Sequence, residues 1–243
     1  MAIHLNQVLS QYNIGKPRGA RPVERGFINE NWKIETTLGS YFLKHYHPDL
    51  RHPDVIRAQH TLVAHLRQAG FPAPATMPTT DGDTLLIYEE EFYEIQAYVG
   101  GTFYDHDRPG HFREAALTLG QYHTKVAGFA PQALRDLGEL YSPAILRANL
   151  DSLANIWKVD RHPEMAQIVR QLEDHADDLV ARFAQHGDYY ADNLIFGDDH
   201  IVGVVDYEKA LWQPRIVELA EALIYFASSR PGHLQHLVYP GLL

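Results

Sequence analysis

The sequence predicts an α+β chain, with strands gathered in its first part and helices dominating the rest. Three observations carry that reading. Short aromatic and β-branched runs separated by turn residues recur up to about residue 97. Beyond that point apolar residues fall at helical spacing over long stretches. Late in the chain, a strand–turn–strand unit interrupts the helical pattern.

The elements follow in order. Arg25-Gly26-Phe27-Ile28-Asn29-Glu30-Asn31-Trp32 lies between two strand-like stretches, with Gly26 at the tip of a turn. Gly39-Ser40-Tyr41-Phe42-Leu43-Lys44-His45-Tyr46 is an aromatic, strand-favouring run with Lys44 inside it. Residues 53–69 place apolar side chains at 55, 56, 62, 63 and 66, one amphipathic helical face that also carries Gln59. Gly70-Phe71-Pro72-Ala73-Pro74 ends that helix, because Gly and Pro both oppose its continuation. Strands are expected at 84–88 and 92–97, followed by Tyr98-Val99-Gly100-Gly101. Two helical core stripes come next. One, over 108–129, includes Leu119, Tyr122, His123 and Val126, and the other, over 163–185, includes Leu172, Leu179 and Phe183. His123 reads as a hydrogen-bonded core histidine. A last helix begins near Pro214-Arg215-Ile216-Val217-Glu218.

The most informative stretch is His186-Gly187-Asp188-Tyr189-Tyr190-Ala191-Asp192-Asn193, with Val204-Val205-Asp206 after it. Residues 193–196 and 201–205 read as two strands joined by Gly197-Asp198-Asp199, which makes a hairpin. Asn193 then starts the first strand and Asp206 ends the second, so the two converge. Phosphoryl transfer asks a protein mainly for positioning and charge neutralisation. Mg²⁺ prefers oxygen ligands and takes one or two from the protein. A further carboxylate is needed to accept the proton of an attacking hydroxyl. Asp188 suits that base, and Asn193 and Asp206 suit the metal.

The run His-Gly-Asp-x-x-x-x-Asn, with an Asp about a dozen residues on, resembles the aminoglycoside phosphotransferase, choline kinase and type II homoserine kinase superfamily. The resemblance implies a protein-kinase-like bilobal α+β fold, with a small antiparallel-sheet lobe over 1–97 that binds nucleotide. A mainly helical catalytic and substrate lobe would follow over 98–243. It implies an ATP-dependent phosphotransferase using Mg²⁺ and acting on a hydroxyl of a small molecule that is homoserine-, choline- or aminoglycoside-like. The x-x-Asp-Asn-Leu-Ile-Phe ending and the Gly-Phe-Ile-Asn-x-Asn turn lean towards the homoserine-kinase-like branch.

The same resemblance assigns the Gly26 turn, with Asn29, to cover the nucleotide. Lys44 would contact the α/β-phosphates, and backbone near Gln96, Ala97 and Tyr98 would receive the adenine. Gln59 stands where the family usually offers a glutamate to pair with the strand lysine. Arg215 and Glu218 resemble the family's Pro-Arg-x-x-Asp-Leu-Ala segment and are read as props for the loop holding Asp206. The chain stops where family members usually add further helices, which implies a compact member or a truncated one. A catalytically weak or inactive nucleotide-binding protein is the alternative, favoured by Gln59 and the short C-terminus.

Composition narrows the partners. The 243 residues carry a formal charge of −10, against nonspecific nucleic-acid binding and compatible with a cationic or zwitterionic substrate. There are no cysteines, which excludes disulfides and thiolate metal sites. No run approaches a membrane span and no signal peptide is apparent, so a cytoplasmic protein is expected. Neither His45 nor His47 belongs to a recognisable metal motif. The acidic runs, such as Glu89-Glu90-Glu91, read as solvated turns.

Overall fold

The computed structural model describes residues 2–24, 28–136 and 181–227, together with scattered positions between 142 and 174. Helix α1 (Ala2–Ser10) precedes strands β1 (Pro17–Pro22), β2 (Glu30–Thr36) and β3 (Ser40–His45). Helix α2 (Pro53–Gln68) follows, then β4 (Leu86–Tyr88) and β5 (Glu91–Ala97). These five strands form one antiparallel sheet in the order β1-β2-β3-β5-β4. Its register sets Lys44 directly opposite Glu94, and Phe42 opposite Gln96. The turn between β4 and β5 bends through Glu89 and Glu90, both at positive φ, whereas Glu91, expected in the same turn, begins β5 and pairs with Arg51 and His45.

Beyond the sheet come β6 (Thr102–Phe103), α3 (Pro109–Lys125), β7 (Arg135–Asp136), β8 (Arg182–Gln185), β9 (Leu194–Gly197), β10 (His200–Val204), β11 (Leu211–Pro214) and α4 (Arg215–Ala227). Two small sheets result, β10-β9-β6 and β7-β11-β8. The expected hairpin is β9–β10, closed by Asp198-Asp199 with Asp198 in the left-handed region that such a turn requires.

Two main cores hold these parts. Val8 and Leu9 of α1 pack under the large sheet against Ile34, Tyr41, Leu43 and Ile95. The apolar face of α2 goes elsewhere: Leu62, Val63 and Leu66 pack with Leu119 and Tyr122 of α3 and with Leu194, Phe196 and Val204 of the hairpin. Leu62, Leu66 and Leu194 are fully buried, each worth about 1.5–3 kcal/mol of gross transfer free energy. Helix α2 is thereby fastened to the hairpin while lying between β3 and β5 in sequence.

The helix expected over 163–185 requires correction. Gln167, Arg170, Gln171, Glu173 and Asp174 are helical, but Arg182–Gln185 form strand β8 against β11. Pairing with Leu211–Pro214 overrides the helical periodicity that had included Phe183. The rest of that stretch lies outside the described residues, as do Gly26 and the residues after Ala227. Among the described residues no helix is long and apolar enough to cross a membrane.

Candidate active site

The site grows from the bend after β8. His186 is fully buried. Its Nδ1 accepts from the Asp188 N–H at 3.3 Å, so Nε2 carries the hydrogen and donates to the Val205 carbonyl at 3.0 Å. Burial pushes its pKa below the ordinary histidine value, consistent with that neutral tautomer. Gly187 has φ +75°, and a Cβ there would lie 2.2 Å from the Lys209 carbonyl oxygen. Only glycine lets these two segments meet so closely.

The Gly187 N–H donates to Glu218 Oε1 at 3.0 Å, while His123 Nε2 hydrogen-bonds Glu218 Oε2 at 2.7 Å. Glu218 therefore braces the loop that carries Asp188, rather than the Asp206 loop expected from sequence. Its neighbour Arg215 stacks over the Phe183 ring at 3.8 Å.

The bend projects Asp188 towards two partners. Lys209 Nζ donates to Asp188 Oδ1 at 2.9 Å, and Asn193 Nδ2 donates to Oδ2 at 3.2 Å and to the Asp188 carbonyl at 2.9 Å. With its amide nitrogen so engaged, Asn193 has its side-chain oxygen left to offer a cation. Asn193 ends a short 3₁₀ turn (Ala191–Asn193) immediately before β9, and its carbonyl accepts from the Val205 N–H at 2.9 Å. That bond closes the open end of the hairpin and brings Asp206 beside Asn193. Asp206 has φ +67°, in the left-handed region that aspartate tolerates better than most side chains.

Lys44 meets that carboxylate from β3. Its buried ammonium donates to Asp206 Oδ1 at 2.7 Å and to Glu208 Oε2 at 3.0 Å, with Glu94 Oε1 at 3.9 Å. Burial disfavours the charge on Lys44, but Asp206, Glu208 and Glu94 outweigh it and raise its pKa. Burial also works against the Asp206 carboxylate, yet Lys44 holds its pKa below the ordinary aspartate value. Glu208 goes the other way: burial raises its pKa, and neighbouring Asp206 adds to the rise against the pull of Lys44. Three carboxylates around one ammonium leave the cluster short of positive charge.

Lys44, Asp188, Asn193 and Asp206 thus come together as expected. Asn29 joins them through Glu208, to which its Nδ2 donates, while its Oδ1 accepts from the His47 N–H at 2.8 Å. Gln59 needs correction as a partner of Lys44: its Nε2 donates instead to the Glu208 carbonyl at 2.6 Å. Gln96 is buried and donates to Glu94 Oε1 at 3.2 Å. Tyr98 is partly exposed beside Lys33 Nζ, 4.2 Å from the ring centroid. The N–H groups of Ala97 and Tyr98 are already used by the Ala75 and Ser40 carbonyls. Sequence reasoning missed Glu208, Lys209 and Glu94. The first two adjoin the Asp206 motif and were legible as Asp-Tyr-Glu-Lys, whereas Glu94 shows only once the β3–β5 register is known.

Among the described residues no group of three or more His, Asp or Glu side chains is arranged to hold a metal alone. Mg²⁺ takes one or two ligands from a protein and completes its shell with phosphate oxygens and water. The Asp206 and Glu208 oxygens already gather around a cationic group, the Lys44 ammonium, so the donor set fits a cation.

A family profile described as "Phosphotransferase enzyme family" matches residues 19–237. The chain therefore belongs to the phosphotransferase enzyme family, and in class it is a small-molecule kinase. A homoserine kinase of Phenylobacterium zucineum (strain HLK1) is 26% identical over 220 residues, covering 90% of this chain and 67% of the relative. An amicoumacin kinase solved with AMP-PNP, Ca²⁺ and Ami superposes with a TM-score of 0.70 at 13% identity, over 92% of this chain and 68% of that one. A microcompartment-associated aminopropanol kinase gives 0.64 at 16% identity, over 93% and 75%. The fold is the expected α+β, protein-kinase-like bilobal one.

Proposed function

We propose that this chain transfers the γ-phosphoryl group of ATP to a hydroxyl of a small molecule, with homoserine or a similar amino alcohol as acceptor. The observation that carries the reading is the continuity of the site: Asp188 is bonded to Asn193, whose carbonyl holds the strand that delivers Asp206 to Lys44. A proton acceptor, oxygen donors for a cation and a phosphate-binding cation thus share one hydrogen-bonded unit.

In this reading Asp188 takes the proton as the acceptor oxygen attacks the γ-phosphorus. The bond from that phosphorus to the bridging oxygen breaks, and ADP leaves with the electron pair. Lys209 holds Asp188 in its reactive orientation. Lys44 binds the α/β-phosphates, and Asn193, Asp206 and Glu208 are the residues that would hold Mg²⁺. When bound, the ion supplies neutralisation of charge developing on the phosphate oxygens. The sheet over 1–97 would seat the nucleotide. Because the Ala97 and Tyr98 N–H groups are engaged, adenine would be read there by carbonyls and by groups of the segment that follows Tyr98.

An amine-bearing acceptor is favoured by the carboxylates near Asp188. Glu221 is partly buried there, and its pKa is raised by burial, then by Glu218 and Asp188, against the pull of Gln213 and Lys209. The homoserine kinase relative supports the same class. The inactive alternative loses one of its grounds, since Lys44 has carboxylate partners without Gln59.

The test is acceptor-dependent ATP consumption over a panel containing homoserine, aminopropanol, choline and an aminoglycoside, run beside Asp188→Asn. Consumption that needs one acceptor and falls by about 10²–10⁴-fold in the variant supports the reading. Unchanged turnover in Asp188→Asn removes the base assignment.

A further inference from the structure

Lys44 is surrounded by carboxylates, yet two of its three partners have another task. Asp206 and Glu208, its nearest contacts at 2.7 and 3.0 Å, belong to the segment proposed above to bind the cation. A divalent ion there competes with the ammonium for the same oxygens. As those carboxylates turn to the ion, Lys44 needs another counter-charge, because an unpaired ammonium in the protein interior is strongly disfavoured.

The third carboxylate cannot follow them. Glu94 is almost wholly buried on β5, directly opposite Lys44 across the ladder. His60 Nε2 hydrogen-bonds Glu94 Oε2 at 2.5 Å, and His60 Nδ1 is fixed by Thr84 Oγ1 at 2.8 Å. Gln96 Nε2 donates to Glu94 Oε1 at 3.2 Å, and Tyr46 hydrogen-bonds the same carboxylate. Each of these groups lies on the sheet, on α2 or in the strand connections, and none belongs to the hairpin that carries Asn193 and Asp206.

We propose that Glu94, presented by β5 and tied to α2 through His60, is the standing counter-charge that keeps Lys44 directed at the phosphates when Asp206 and Glu208 engage a cation. Glu94 is a positioning residue in this scheme and touches neither substrate nor ion. Helix α2 holds both ends of the exchange with adjacent side chains. His60 secures Glu94, and Gln59 secures the backbone of Glu208 at 2.6 Å. The inference rests on the phosphotransferase reading and adds to it the element that sets the lysine.

The experiment compares wild type with Glu94→Gln by calorimetric titration of ATP at fixed Mg²⁺, and by ATP turnover as Mg²⁺ is varied. Without Glu94, Lys44 stays with Asp206 and Glu208 and competes with the ion. The Mg²⁺ needed for half-maximal turnover should rise several-fold, and ATP should bind about tenfold more weakly, with the acceptor KM unchanged. A merely structural role would leave the Mg²⁺ requirement where it is. Wild-type ATP affinity and Mg²⁺ dependence in Glu94→Gln overturn the proposal while leaving the kinase reading intact. Failure of the wild type to bind ATP overturns both. Should Glu94→Gln not fold, His60→Asn keeps the carboxylate but loosens it. The same shifts, smaller, are then expected, and wild-type behaviour overturns the proposal.

Discussion

Lys44 and Lys209 each grip an aspartate of the site, but their surroundings are opposite. Lys44 is buried and outnumbered by Asp206, Glu208 and Glu94. Lys209 is half-exposed and pairs one-to-one with Asp188. The first arrangement stores an unmet demand for positive charge and so is suited to capturing a cation with its phosphates. The second is nearly balanced, and its half-exposed lysine leaves an incoming hydroxyl a side from which to reach the mostly buried Asp188 carboxylate. Two Lys–Asp contacts of similar length, 2.7 and 2.9 Å, therefore serve binding and chemistry respectively. Their burial and the number of their neighbours decide which.

The comparison can be broken at either pair. Asp206→Ala should have the largest effect of three further substitutions. It removes a charged ligand worth about 1.5–3 kcal/mol, so Mg²⁺-dependent ATP binding should weaken by about 10–100-fold. Calorimetry checks this, and tight binding in the variant would mean the Lys44 cluster is not the cation site. Lys209→Gln should be milder. It leaves Asp188 held by Asn193 alone, so kcat should fall about tenfold while the KM for ATP stays put. Steady-state kinetics with both substrates varied would show whether the loss falls on ATP binding instead.

The smallest effect is on pH dependence and reads the support beneath Asp188. The pKa of His186 is depressed by burial, so the unfolded chain takes up a proton, from the ordinary value of 6.5 downwards, that the folded one resists. Stability should be full above about pH 6.5 and decline as pH falls towards the lowered folded value. The Asp206 and Glu94 carboxylates are also depressed, but their contributions are lost only at more acid pH. Thermal melts of His186→Asn should therefore be flatter than wild type between about pH 5 and 6.5. An identical slope would mean that folding leaves the His186 pKa where it is in the unfolded chain.

How much of this was legible in the sequence follows from how far apart the parts lie in the chain. Asp188, Asn193 and Asp206 sit within one bend and one hairpin, and the Gly197-Asp198-Asp199 turn between two apolar runs reveals their convergence. Lys44 was legible from its place in a strand-favouring run. Its partners were not, because Glu94 reaches it only through the β3–β5 register, which no local pattern encodes. Gln59 shares an apolar face with Leu62 and Leu66, so its position on α2 was clear while its target, a backbone carbonyl, was invisible. Phe183 fits a helical stripe as well as a strand, and only pairing with β11 separates the two. Glu218 was recognised as a prop, but which loop it props depends on α4 packing beneath Gly187.

Gly187 also bears on how other sequences of this architecture can be sorted. With the Lys209 carbonyl oxygen 2.2 Å from where a Cβ would stand, any side chain there must wedge the Asp188 bend away from the Tyr207–Lys209 segment. Glu208 of that same segment contacts Lys44, and His186 holds the Val205 carbonyl beside Asp206, so the displacement reaches the Lys44 cluster as well. A relative with a larger residue at this point should lose the placement of Asp188 and disturb the Glu208 contact with Lys44 together. One codon would thus uncouple both halves of the site at once, and the missing methyl group marks the chains that can keep them joined.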